Sequence, residues 1–409
     1  AVCYPFFTRD EQGEFTISPD DIHYGERLHA VLDEYGVAIV TDILDDNGDG
    51  EGDASSSRSA FEGHFAADWI SAIDDRRGVA YRREEYQKGL ERFRASGHHI
   101  ADAPSSLVSS LIGTKGRLSG RGLPHGKFAW KSRLHTRVRE VFAILHGTEL
   151  LATGLDNPFF SPLVDGEVQS ENREWLHVDQ NTNTGLEWKC YQGVLYVWGA
   201  DEESSTTVLW PKSHRDEVYG RIVRDKYAKH RGENSWGQLV ELSKLLGEDG
   251  CDLHRRAVQG ARRVRIPPGS LLLWDSRTVH QGWQSGPRLA MPICWEPRAR
   301  RDDDALNRKL WLCAAGLPSS HSSTEGRVHG MSAFKKRPKD LEGEERHVPL
   351  KATIVPWCVR PDMEMQWMEL QDDLWSRGKN AKENADMFGG GDERGKVERI
   401  LRAEVLDCL

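Results

Sequence analysis

No stretch of this chain approaches the ~20 consecutive apolar residues that a membrane-spanning helix needs, so no spanning segment is expected. Cysteine pairs at zinc-ribbon or redox-motif spacing are also missing. The seven cysteines, at 3, 190, 251, 294, 313, 358 and 408, are odd in number and scattered, which speaks against a disulfide framework and for a reducing compartment. The first residues, Ala1-Val2-Cys3-Tyr4-Pro5, lack the basic and apolar regions of a secretory signal. The expectation is an intracellular, cytoplasmic protein. An excess of positive charge is absent too. The net charge of −9 argues against a general nucleic-acid or anionic-membrane binder, and no internal repeat is evident.

What the chain does have is length and aromatic mass. Its 409 residues, 38% hydrophobic and 29% charged, suffice for a full core. Short β-rich runs separated by turn residues occupy the middle: Trp175 to Val178, Gly193 to Trp198, Thr206 to Trp210, Arg263 to Ile266, Ser270 to Trp274 and Leu289 to Trp295. Such runs predict a sandwich or barrel from about Leu150 to Trp295, with Pro267-Pro268-Gly269 as a turn and a helical insert over Tyr227 to Leu246. Many of the 14 tryptophans fall in this region and suit its core. Trp188 and Trp283 are candidates for the wall of a pocket.

Within the β region, His177 and Asp179 are separated by one residue. Positions i and i+2 of a strand point to the same face, so an imidazole and a carboxylate converge. His280, after the apolar run Leu271-Leu272-Leu273-Trp274, can supply a third ligand. Two histidines and one carboxylate on one side of a metal leave the other side open, as in non-haem Fe(II) oxygenases. A lone His-x-Asp is common by chance; the distal histidine and Arg288 add weight. The Arg288 guanidinium can grip a carboxylate through two parallel hydrogen bonds. A ligand with one carboxylate on the metal and one on Arg288 is a small dicarboxylate such as 2-oxoglutarate. Gln192, on the following strand, is a candidate donor to that co-substrate or else an ordinary edge residue.

The set His177-x-Asp179, His280 and Arg288 resembles the phytanoyl-CoA dioxygenase-like family of Fe(II)/2-oxoglutarate-dependent oxygenases. Three further stretches are similar to that family: Trp210-Pro211-Lys212-Ser213-His214, with Lys212 where glycine is usual; Trp274 through Gly282; and Trp130-Lys131-Ser132-Arg133 with the helix after it. The resemblance covers roughly residues 20 to 300. It implies a mainly β fold with flanking helices, a double-stranded β-helix (jelly-roll, cupin-like) core, with Fe(II) on His177, Asp179 and His280. It also implies 2-oxoglutarate on Arg288, O2 as oxidant, and hydroxylation of a small-molecule substrate. Asp179 favours hydroxylation, since related halogenases carry a small residue there. One departure is Ala290, where many members place a hydroxyl. A non-catalytic metal- or ligand-binding jelly roll is the alternative from another class.

The flanks read as support. Ser18 and Pro19 predict the start of a helix carrying Ile22, Leu28, Leu32 and Tyr35, ended by Gly36 and followed by a strand over Val37 to Val40. Asp45-x-Asn47-x-Asp49-Gly50 imitates a calcium loop, but position twelve is Ser56 rather than the required glutamate. Residues 61 to 95 read as helical. Residues 98 to 128 read as a long loop in which His98, His99, His125 and Lys127 are either solvated or gathered at a substrate mouth. Val138, Val141, Phe142 and Leu145 give a helical face, and Arg133 before it is placed at the surface. Residues 1–300 are expected to form the oxygenase domain and 301–409 a helical extension packed on it. In that extension Val397, Ile400, Leu401 and Val405 form an apolar stripe that must pack on the chain itself or on a second copy.

Overall fold

The computed structural model describes residues 3–44, 57–74, 84–97, 99–104, 107–108, 118–162, 174–180, 189–234, 239–319, 321, 354–377 and 391–409. The calcium-like stretch at 45–56, His98, Trp188 and most of 319–336 lie outside them. The chain forms two compact units: residues 1–44 with 166–288, and residues 45–165 with 289–409. No helix among the described residues is long and apolar enough to cross a membrane.

The first unit is built on two facing sheets. In one, Thr16–Ile17 runs parallel to Val37–Val40, and the central strand Ser270–Asp275 lies antiparallel between Val37–Val40 and Tyr191–Tyr196. The other runs in the order Val240–Glu241, His177–Val178, Val279–Trp283, Thr206–Trp210, Arg262–Arg263, with antiparallel neighbours throughout. This is the two-sheet core with flanking helices that the β-rich runs predict. Every residue of Ser270–Asp275 is buried, as expected of a strand with covered faces.

Alternation decides which side of the second sheet meets the helices. Val178, Val208, Val240, Val279 and Trp283 share one face and pack with Tyr219, Ile222, Leu253 and Ala257 of the helices Tyr219–Arg224 and Gly247–Gly260. His177, Leu209 and His280 therefore point the other way, toward the first sheet. Trp283 belongs to the helix-side core, edge-on to Tyr4, and not to a pocket wall. The predicted insert is also more broken than its composition suggests. Within 227 to 246, the helix Lys226–Asn234 gives way to the strand Val240–Glu241, which pairs with His177–Val178.

Ser18 caps no helix; its hydroxyl accepts the Asp20 N–H in a turn. The helix runs Tyr24–Tyr35 and leaves Ile22 outside it, 94% exposed. Gly36 ends it as predicted, at φ +71°, and a Cβ there would lie 2.3 Å from His214 Nδ1 and 2.6 Å from Thr278 Oγ1. Only glycine combines that backbone angle with that closeness.

The second unit is mainly helical. Arg58–Ile73 buries Phe61, Phe65 and Trp69, and Thr136–His146 buries Val138, Val141, Phe142 and Leu145 as its periodicity predicts. Leu151–Thr153 pairs with Trp295–Pro297. The stripe Val397, Ile400, Leu401 and Val405 is covered within this unit by Leu310, Trp311, Cys358 and Trp367, among others. His125 and Arg133 differ from expectation. Both are fully buried, with Arg133 donating to the carbonyls of Pro124 and Asp156 and lying over the Trp130 ring.

Candidate metal centre

His177 and His280 are direct partners on adjacent antiparallel strands, so their side chains leave the sheet on the same face. The strand ends at Val178, and Asp179 follows on a bend; the carboxylate still reaches the histidines. Asp179 Oδ1 lies 3.5 Å from His177 Nε2, and Oδ2 lies 3.2 Å from His280 Nε2. The ring centroids of the two histidines are 4.4 Å apart. One donor atom from each of the three residues fits within 4.8 Å.

Backbone carbonyls fix both rings. His177 Nδ1 is 2.8 Å from the Trp175 carbonyl and His280 Nδ1 is 2.9 Å from that of Thr278. A carbonyl only accepts, so each Nδ1 carries the proton and each Nε2 keeps the lone pair that a metal ligand needs. Such outer bonds orient metal-binding histidines. Both histidines are buried, while the Asp179 side chain is 16% exposed. The centre is rigid on the histidine side and reachable at the carboxylate.

Gln192 donates through Nε2 to Asp179 Oδ2 at 2.9 Å, so it orients the carboxylate, and its buried Oε1 has no partner. Trp274, directly opposite Gln192, brings its ring to 5.0 Å from that of His280. Tyr196 stands four residues after Gln192 on the same strand and hence on the same face. Its hydroxyl accepts from Arg288 Nη2 at 2.8 Å and lies 3.0 Å from Thr207 Oγ1, while the Arg288 guanidinium sits over the Tyr196 ring. Ser270, across from Tyr196, has a buried hydroxyl without a partner.

The turn after Thr206–Trp210 explains its familiar pattern. Lys212 adopts φ +64°, a conformation that favours glycine; its ammonium bonds Glu34 at 2.6 Å. Ser213 Oγ accepts the Val279 N–H at 2.8 Å and donates to the Trp210 carbonyl. The turn thereby holds the backbone next to His280. On the other side Asp275 and Arg277 form a bidentate ion pair within the connection to Val279–Trp283. Burial pushes the His214 imidazole pKa below its usual value, so this turn histidine stays neutral.

Sequence reasoning missed Tyr196, Thr207, Ser270 and Trp274. The signal for them was strand alternation: Gln192 and Tyr196 are in phase on one strand, Ser270 and Trp274 on the next.

No family model matches the chain, so membership of the phytanoyl-CoA dioxygenase-like family is not shown. Ava biosynthesis cluster protein O of Aspergillus versicolor is 26% identical over 204 residues, 49% of this chain and 64% of that protein. A PKHD-type hydroxylase of Synechococcus sp. (strain CC9902) is 28% identical over 122 residues, 29% of this chain and 54% of that protein. The chain therefore spans less than two thirds of each of these curated relatives. Among solved structures, GIG2 (DUF1479) from Candida albicans is 10% identical, covers 91% of this chain and 88% of its own, and has a TM-score of 0.43. That likeness is distant.

Proposed function

We propose that the chain is an Fe(II)- and 2-oxoglutarate-dependent oxygenase that hydroxylates a small molecule. The observation that carries this reading is the convergence of His177 Nε2, His280 Nε2 and the Asp179 carboxylate, with Arg288 held by Tyr196 on the strand face that also presents Gln192. The donor set of two imidazoles and one carboxylate suits iron(II) and leaves coordination positions for other ligands. The 28% identity to a PKHD-type hydroxylase agrees with this chemistry.

In this reading His177, Asp179 and His280 hold the iron. The Trp175 and Thr278 carbonyls keep the correct nitrogens turned inward, and Gln192 keeps one carboxylate oxygen from rotating away. Arg288 takes the far carboxylate of 2-oxoglutarate, aided by the hydroxyls of Tyr196 and Ser270. Iron, 2-oxoglutarate and O2 would together supply the oxidising chemistry, with O2 as the oxidant; the protein's part is to position them and exclude water. Trp274 and Trp175 supply apolar walls beside the two histidines.

The test is a titration of 2-oxoglutarate into anaerobic Fe(II)-loaded protein, followed by its metal-to-ligand absorption band. A substrate screen for succinate formation coupled to a mass gain of one oxygen then finds the substrate. Iron binding without any 2-oxoglutarate binding overturns the oxygenase reading in favour of a metal-binding protein that does no oxidation.

A further inference from the structure

We propose that the second unit carries a separate metal site, in which His125 Nδ1 and the sulfurs of Cys313 and Cys358 hold a thiophilic d10 ion, zinc or copper(I). The three residues come from unrelated segments. His125 closes the short turn Leu123–His125, Cys313 lies in the last turn of Asp303–Ala315, and Cys358 precedes the helix Glu364–Arg377. All three are completely buried, both cysteines are free thiols, and one donor atom from each fits within 4.8 Å.

The histidine points to a ligand. Its Nε2 lies 2.8 Å from the Leu317 carbonyl, and a carbonyl only accepts, so Nε2 bears the proton. The neutral ring then presents a lone pair at Nδ1, which is buried beside the Cys313 thiol. One nitrogen is thus locked by a carbonyl and the other is turned to a thiol, which is the arrangement of a metal-binding imidazole with its outer support.

The chemistry of the donors selects the ion. Two sulfurs and one nitrogen, with no oxygen ligand, exclude calcium and magnesium, which take oxygen donors. Thiolates select zinc and copper(I). The buried Arg133 guanidinium offsets part of the negative charge of two thiolates. Copper(I) is satisfied by three such donors. Zinc takes four, with the fourth supplied from outside this trio. Either ion would clamp a turn, a helix and a loop in a region where no other covalent link is present among the described residues.

The experiment uses the full chain, grown with zinc and copper and purified anaerobically. Metal analysis is expected to find about one equivalent of zinc or copper per chain besides any iron, and the Cys313→Ser/Cys358→Ser variant is expected to lose that metal while keeping its iron. Which element co-purifies distinguishes the two ions. Growth with cobalt(II) gives a readout that needs no variant. Thiolate-to-cobalt charge transfer in the near ultraviolet requires sulfur ligands, which the His177–Asp179–His280 set lacks. Folded wild-type protein that retains neither zinc nor copper and shows no cobalt–thiolate band overturns the site. So does a Cys313–Cys358 disulfide in the anaerobic protein.

Discussion

His177, Asp179 and His280 stand on paired strands and the bend beside them, and Asp179 keeps part of its carboxylate exposed. His125, Cys313 and Cys358 come from a turn, a helix and a loop, and none reaches solvent. In both clusters a backbone carbonyl fixes the tautomer of each histidine. The difference lies in the donors and in access. Nitrogen and oxygen donors at a partly open position suit an ion that must take up further ligands and react. Sulfur and nitrogen donors in a sealed core suit an ion that stays put. The two clusters thus differ in both ligand hardness and burial.

The largest effect that tests this contrast is at the open centre. His280→Ala is expected to remove most of the bound iron and bring turnover to background, with the folded state intact by circular dichroism. Its zinc or copper content is expected to match wild type. Asp179→Ala is expected to abolish turnover as well. Wild-type iron stoichiometry in folded His280→Ala would break the assignment of the open centre.

The second effect concerns Arg288. Removing one partner of a buried charged pair costs about 2–5 kcal/mol, and about 1.4 kcal/mol is a factor of ten. Arg288→Ala is therefore expected to raise the 2-oxoglutarate dissociation constant more than tenfold. Arg288→Lys, which keeps the charge and loses the fork, is expected to raise it less. Neither changes iron content. Affinity equal to wild type in Arg288→Ala would mean that a different basic residue anchors the co-substrate.

The open centre was legible in the sequence because its placement rule is local. Strand runs around both histidines predict that His177 and His280 can share a sheet face, as they do, whereas Asp179 meets them from the bend after the strand. Gly36 and the strand Val37–Val40 were legible for the same reason. The sealed cluster was not. Positions 125, 313 and 358 have no shared spacing, and helix and loop packing alone brings them together. Arg133 was misplaced at the surface because a charged residue is rarely buried without a partner, and its partners are two backbone carbonyls that no residue type reveals. Val240–Glu241 was missed because a two-residue edge strand inside a polar, helix-rich insert carries no periodicity.

The third effect belongs to the helix that carries Cys313. Lys309, one turn before it, is fully buried, with Nζ donating to the Leu409 carbonyl. Burial lowers its pKa from 10.5 to about 7. A lowered ammonium pKa means that the unfolded chain binds the proton more tightly, so stability rises with pH between those two values and is flat below them. At about 1.4 kcal/mol per unit of pH, two units above neutrality add roughly 2–3 kcal/mol. Urea midpoints of wild type are expected to climb over that range, and those of Lys309→Met to climb less. Parallel curves for the two proteins would show that Lys309 is charged in the fold.

The smallest effect separates the reactive centre from its supports. Tyr196→Phe removes one hydroxyl and leaves the ring under the Arg288 guanidinium. A neutral hydrogen bond is worth about 0.5–1.5 kcal/mol, and one to a charged group somewhat more. The Thr207 and Ser270 hydroxyls remain nearby to take up part of the loss. Affinity for 2-oxoglutarate is therefore expected to fall by about two- to tenfold, less than in Arg288→Ala. Iron content and the metal of the sealed cluster are expected to stay as in wild type. The double variant Tyr196→Phe/Arg288→Ala decides whether the tyrosine acts through the arginine. If it does, the double variant binds 2-oxoglutarate as weakly as Arg288→Ala alone, because the hydroxyl has no guanidinium left to position. If the two losses add, Tyr196 contacts the co-substrate itself.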